Sequence, residues 1–242
     1  MKKLMLMFCL MFCVNLGSNA QNFNPEDIEL SVVQIVILSP SEGGAVPMGS
    51  GFFSGDGKTI VSAGHVYWQA GLSGNQRHLG GIYASKILPS GKRFMVPITP
   101  GKVDDAHDLA LFTFDPTTIK TQAPDFVVKP LQVSAQNPKL GDEVTVFGYI
   151  GTYSFVTFVR GWVSGEIRTP TPPLVFVDEI ILGIGVNFGD SGGPVVSTST
   201  GKVVGVVVGF LPVTTTTPGQ STFANGVSRA AKSSFLSALL QP

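Results

Sequence analysis

Few residues in this chain could carry chemistry. There are three histidines (His65, His78 and His107) and two cysteines (Cys9 and Cys13). One serine stands apart. Ser191 lies within Asn187-Phe188-Gly189-Asp190-Ser191-Gly192-Gly193-Pro194-Val195, between glycines, with an acid before it and a valine-rich run after it. Glycine adopts positive φ at little cost and lets backbone come close to a ligand. Successive N–H groups in such a turn can converge on one anionic oxygen. Ser191 is thus a candidate nucleophile whose own N–H, with that of Gly189, could form an oxyanion hole. The competing reading is an ordinary small-residue turn between strands.

A serine hydroxyl is a weak nucleophile at neutral pH. It needs a base to take its proton, and the base needs an acid to fix its tautomer. His65 follows the apolar run Thr59–Ala63 and Gly64. His78 sits in a glycine-rich stretch and reads as solvated. His107 stands among Asp104, Asp105 and Asp108, and reads as exposed or held in a local ion pair. Asp108 opens the apolar run Leu109–Phe114. A carboxylate there costs free energy unless it has a partner, and His65 would be that partner. Asp104 and Asp105 lie in a looser polar run and are weaker candidates. The string Gly189-x-Ser191-x-Gly193 also fits a nucleophile elbow, but that fold requires the order serine, acid, histidine. No histidine follows Ser191. The order here, histidine then aspartate then serine, is the one known on β-barrels.

The elements that must position these residues read as strands. The chain has 242 residues, 43% hydrophobic and only 13% charged, with 29 glycines and 17 prolines, an all-β composition. Strands are predicted at 31–38, 81–88, 93–98, 109–114, 143–149, 154–167, 174–181 and 203–210. A hairpin turns at Ser54–Lys58, with His65 at its far end. Residues 21–30 read as a polar arm, 69–80 and 212–221 as loops, and 115–130 as the connection between two halves. A helix is predicted from Ser228 onward, rich in alanine and leucine.

The first twenty residues are expected to lie outside the fold. Lys2 and Lys3 precede the apolar stretch Leu4–Leu16, which is short for a bilayer span, and Ser18-Asn19-Ala20 ends in small residues. This reads as a secretory signal peptide, 1–20, so a secreted or periplasmic location is expected. Its removal leaves 14 bases against 16 acids, a net charge of −2. That balance gives no sign of a nucleic-acid partner or of stable membrane insertion. Both cysteines leave with the signal, and with them any disulfide or cysteine metal site.

Three blocks now stand in order: Thr59-Ile60-Val61-Ser62-Ala63-Gly64-His65, Asp108-Leu109-Ala110-Leu111, and Gly189-Asp190-Ser191-Gly192-Gly193-Pro194. They resemble the signature blocks of the chymotrypsin/trypsin-like serine proteases. Val186-Asn187, the missing cysteines and the signal peptide lean towards the bacterial branch, near the periplasmic heat-shock proteases. The resemblance implies two Greek-key six-stranded β-barrels and a C-terminal α-helix. Residues 21–120 would form the first barrel, with His65 and Asp108, and 121–242 the second, with Ser191 and the helix. It implies cleavage of peptide or protein substrates through an acyl-enzyme, with Ser191 attacking, His65 as base then acid, and Asp108 orienting His65. The oxyanion would sit on the Gly189 and Ser191 N–H groups, with no metal or cofactor. By the same resemblance Gly185, Val208, Gly209, Phe210 and Gly226 line the substrate pocket. None is charged, so an uncharged, apolar residue is expected before the scissile bond.

Two departures from the family pattern matter. No Ile-Val-Gly-Gly start supplies an amine for Asp190, which must find a basic side chain, backbone donors or water. Val208 stands where many relatives place a serine that supports the orienting acid. Two other readings stay open: a silent protein-binding module on the same fold, and an esterase using the same triad.

Overall fold

The computed structural model describes residues 23–39, 44–68, 81–167, 178–214 and 221–241. The expected signal peptide and the loop holding His78 lie outside the described residues. In chain order the elements are α1 (Pro25–Ser31), β1 (Val32–Ser39), β2 (Gly44–Ser54), β3 (Thr59–Ala63), α2 (Gly64–Tyr67), β4 (Ile82–Ile87), β5 (Arg93–Pro97), β6 (Thr99–Asp104) and β7 (Leu109–Thr113). There follow α3 (Pro116–Gln122), β8 (Glu143–Tyr149), β9 (Val156–Ile167), β10 (Glu179–Leu182), β11 (Pro194–Ser197), β12 (Val203–Thr214), β13 (Ser221–Lys232) and α4 (Ser233–Leu239).

The first half is an antiparallel sheet of seven strands in the order β5-β4-β1-β2-β3-β7-β6, and the second is a closed six-stranded barrel, β10-β13-β12-β11-β8-β9. The seventh strand has a simple origin. Only Ile98 separates β5 from β6, and its N–H still donates to Ile82 O at 3.0 Å. β5 pairs with β4 while β6 pairs with β7. Residues 93–104 thus act as one bent strand shared by both edges, and the sheet curls around a core without edge-to-edge hydrogen bonds.

Three apolar clusters hold the molecule together. One fills the first sheet, with Ile35, Phe53, Ile60, Phe94 and Phe112. Another fills the barrel, with Val144, Val146, Ile180, Leu182 and Val207. The third lies between them, where Phe52, Leu109 and Leu111 meet Phe147, Tyr149 and Val208. Strand alternation sends adjacent side chains to opposite faces. Phe52 therefore joins the middle cluster, and Phe53 the first.

Local signals explain where the structure departs from the predicted elements. The expected arm at 21–30 contains α1, and the expected connection contains α3. Both begin with a side-chain cap followed by proline: Asn24 accepts the Glu26 N–H, and Asp115 accepts the Thr117 N–H. The helix predicted from Ser228 begins at Ser233, because residues 221–232 form β13, paired with β10 and β12. Ala230 and Ala231 are both buried, one in the barrel cluster and one in the middle cluster, which is strand alternation. Of the strand predicted at 174–181, residues 174–177 lie outside the described set, and β10 begins at Glu179.

Phe53 is fully buried, with ring partners Phe114 and Phe126. Phe53→Ala is expected to cost about 3–5 kcal/mol. The measure is urea unfolding, in which the midpoint should fall with the slope unchanged.

Candidate active site

His65 is the second residue of α2, which starts where β3 ends. Asp108 precedes β7, the strand paired with β3, so the register Ala63↔Leu109 brings the two together. The Gly64 N–H donates to Asp108 O at 2.8 Å. Asp108 then takes two further bonds on its carboxylate: the His65 N–H donates to Oδ1 at 2.6 Å, and His65 Nδ1 lies 2.7 Å from Oδ2. Both side chains are about a third exposed, at 29% and 30%. Asp108 holds φ at +54°, a left-handed conformation uncommon outside glycine. With Nδ1–H bonded to the carboxylate, Nε2 is left as the basic atom.

Ser191 lies in a tight turn between β10 and β11. The Gly192 N–H donates to Val207 O at 2.8 Å, and the Val207 N–H donates to Gly193 O at 3.0 Å, so β12 holds one side. From the other half, the Ser50 N–H donates to Ser191 O at 2.7 Å. A Cβ on Gly192 would fall 2.2 Å from Ser62 Oγ and 2.9 Å from Ala63 N, so the turn rests on the strand that leads to His65. Among the described residues, the Ser191 hydroxyl makes no hydrogen bond. Bonds between nucleophile and base are often open without substrate and close when it binds.

The two expected oxyanion donors are the N–H groups of Gly189 and Ser191. Gly189 has φ +100°, and Phe188 O accepts the Gly151 N–H at 2.6 Å. A trans peptide points its C=O and N–H in opposite directions. That bond therefore turns the Gly189 N–H away from Gly151. Among the described residues, neither this N–H nor that of Ser191 has an acceptor.

Residues 49–206 match the family model of the trypsin-like peptidase domain, a span from β2 to β12 that contains His65, Asp108 and Ser191. The chain belongs to the trypsin-like peptidase family. It is a serine endopeptidase, and it acts on protein or peptide substrates. Solved structures share its fold. The active form of the Rv3671c protease from M. tuberculosis is 22% identical over 90% of this chain and 86% of that one, with a TM-score of 0.61. Deg5 is 22% identical over 88% of each chain, with a TM-score of 0.64. The MamO protease domain from Magnetospirillum magneticum is 17% identical over 89% of this chain and 98% of that one, with a TM-score of 0.62. Among curated proteins no match was found.

The other sequence candidates of the peptidase fall into place around this site. Asp104 and His107 pair with each other, with His107 Nδ1 2.6 Å from Asp104 Oδ2, and the His107 ring stacks on Phe235 of α4 at 3.6 Å. Asp105 accepts the Trp68 Nε1–H at 3.1 Å. A cleft of about 550 Å³ is lined by His65, Trp68, Asp105 and Asp108 on one side and by Glu179 and Arg229 on the other. Arg229 Nη1 donates to both Glu179 carboxylate oxygens. Burial raises the Glu179 pKa, and Arg229 opposes the rise.

The pocket candidates come together in part. Val208, Gly209 and Phe210 follow Val207 on β12, and a bulge at this point gives Gly209 φ +144°. A Cβ on Gly185 would lie 3.4 Å from Gly226 Cα, so these two glycines face each other closely. Phe210 meets the ring of Phe188 edge-on at 5.4 Å. Phe188 is 76% exposed beside the serine turn. Sequence reading named it within the turn but gave it no role. The Val208 side chain is buried in the middle cluster and gives Asp108 no hydroxyl. Two N–H groups, Gly64 to the carbonyl and His65 to the carboxylate, support Asp108 instead.

Asp190 finds a backbone donor. The Asn187 N–H donates to its Oδ2 at 2.7 Å. The residue is 4% exposed, and burial pushes its pKa up to about 6 despite that bond. The folded chain thus holds this proton more tightly than the unfolded chain. The stability tied to it is full below the ordinary carboxylate range and is lost as pH rises through about 6. The ionised form costs on the order of 3 kcal/mol at neutral pH. Asp190→Asn keeps an acceptor for Asn187. Relative to wild type it should gain about 2–3 kcal/mol of stability between pH 4.5 and 7.5, read by urea unfolding at both values. Parallel pH dependence in the two proteins would rule out a buried charge at Asp190.

Proposed function

We propose that this peptidase is secreted and that Ser191, His65 and Asp108 form its catalytic triad. The observation that carries the reading is the pair of hydrogen bonds from His65 to Asp108, on the strand end against which the Ser191 turn rests. His65 Nε2 takes the Ser191 Oγ proton as Oγ attacks the scissile carbonyl carbon. The carbonyl oxygen gains the negative charge and accepts from the Gly189 and Ser191 N–H groups. The imidazolium then protonates the leaving amine, and an acyl-Ser191 ester remains. Water, deprotonated by His65, attacks that ester; the acyl–Oγ bond breaks, the imidazolium returns its proton to Ser191 Oγ, and the acid product leaves. Asp108 keeps the proton on Nδ1 and stabilises the imidazolium. Every group this route needs is on the chain.

The pocket proposal rests on Gly185, Val208, Gly209, Phe210 and Gly226, to which Phe188 is now added. All are uncharged, and the rings of Phe188 and Phe210 meet edge-on beside the serine turn. An apolar residue before the scissile bond suits such walls. Secretion rests on Lys2, Lys3 and the apolar stretch that follows. Among the described residues, no helix is long and apolar enough to cross a membrane.

Labelling with a fluorophosphonate tests the nucleophile. The wild type should label, and folded Ser191→Ala should not. A folded wild type that neither labels nor cleaves casein would be a silent module; one that cleaves esters and not casein would be an esterase. Asn tolerates the left-handed φ of Asp108, so Asp108→Asn tests its carboxylate with little added strain. It should lower kcat by about 10⁴-fold with KM little changed. In a peptide-library digest, cuts should follow apolar residues; a majority after lysine, arginine or glutamate would sink the pocket assignment.

A further inference from the structure

We propose that Ser50, on β2, is a positioning residue that sets the oxyanion hole from the half of the molecule that carries His65 and Asp108. The proposal rests on the reading of Ser191 as nucleophile. Ser50 is fully buried, and each of its polar groups is engaged with the site or its supports. Its N–H donates to Ser191 O at 2.7 Å. Its Oγ donates to Gly189 O at 2.6 Å and accepts the Tyr149 N–H at 2.8 Å. Its carbonyl accepts Ser62 Oγ at 2.7 Å.

These bonds acquire their meaning from the turn itself. Four successive carbonyls run through it, and each is held. Phe188 O accepts from Gly151, Gly189 O from Ser50 Oγ, Asp190 O from Gly193, and Ser191 O from the Ser50 N–H. A trans peptide is planar, so fixing its C=O fixes the N–H across the bond. The Gly189 N–H lies one peptide before the carbonyl held by Ser50 Oγ, and the Ser191 N–H one peptide after it. Gly189 has no side chain to restrain it and sits at φ +100°. The Ser50 hydroxyl is therefore the side-chain lock on the peptide between the two donors. Through Tyr149 it also fixes the end of β8, which leads to Gly151 and so to the carbonyl of Phe188.

The hydroxyl reaches only Gly189 and Tyr149, both at the hole, whereas the bonds to Ser191 and Ser62 use the Ser50 backbone. Ser50→Ala would thus loosen the hole while leaving the backbone links between the halves. Removing one oxyanion donor outright costs about 10²–10³ in kcat, and loosening one costs less, roughly 10- to 100-fold. The loss should appear in kcat, with KM within about threefold on the same scale of effects.

A peptide boronate tests this directly, because its tetrahedral adduct places an oxygen where the oxyanion forms. For Ser50→Ala, boronate affinity should fall by the same factor as kcat, and fluorophosphonate labelling should slow in step. A purely structural role would lower the melting temperature without moving the ratio of boronate affinity to KM. The proposal is overturned if Ser50→Ala keeps kcat within about twofold of wild type, or if the loss lies in KM with the boronate ratio unchanged. If Ser50→Ala does not fold, Ser50→Cys, nearly isosteric with a weak donor, is read by the same two criteria. A wild type that fails to label defeats the Ser191 reading itself. A labelling wild type with an unaffected Ser50→Ala defeats only the role of Ser50.

Discussion

The serine turn is packed backbone against backbone, with no room for side chains at its contact points. A Cβ on Gly189 would lie 2.2 Å from Tyr149 O; on Gly192, 2.1 Å from Ser50 O; on Gly193, 2.1 Å from Phe147 O. Two of those carbonyls belong to β8 of the barrel and one to β2 of the first sheet. The turn can hold its shape only where both surfaces are already in place. That constraint gives the middle cluster its importance. Phe52, Leu109 and Leu111 against Phe147, Tyr149 and Val208 dock the halves, and α1 and α4 add Ile28 and Leu236 at the seam.

Two aspartates near the turn are treated in opposite ways. Asp108 is partly exposed and paired with His65, and it adopts a left-handed φ. Such a conformation costs on the order of 1–3 kcal/mol and persists where neighbouring bonds over-determine it. Three bonds from Gly64 and His65 do so here. Asp190 is almost wholly buried with one backbone donor, and it bears the cost of desolvation. The strain at one and the burial of the other sit beside His65 and Ser191, where local stability is given up to fix geometry.

Much of this was legible in the sequence because chemistry and register coincide. Thr59–His65 and Asp108–Leu111 lie along paired strands; apolar runs marked the two elements, and the cost of an unpaired carboxylate marked His65 as the partner of Asp108. Short apolar runs rich in valine also marked the barrel strands β8, β9 and β12. What escaped was set by contacts distant in sequence. Ala230 and Ala231 favour a helix locally, but two neighbouring strands claim them. The role of Ser50 depends on Gly189 and Tyr149, about a hundred or more residues away, and no local pattern marks it. The caps Asn24-Pro25 and Asp115-Pro116 were readable but were outweighed by the polarity of their surroundings. The Asp190 partner is a backbone N–H, which leaves no trace in residue type.

The stacking of His107 on Phe235 joins two parts of the chain that lie far apart in sequence. His107 is bonded to Asp104 and immediately precedes Asp108, while Phe235 belongs to the last helix, whose end is tied to β6 by the bond from Lys102 Nζ to Gln241 O. The loop bearing Asp108 is held by α4 through His107 and by His65 through the carboxylate. Whatever displaces α4 must break that ring stack or carry His107, the residue before Asp108, along with it.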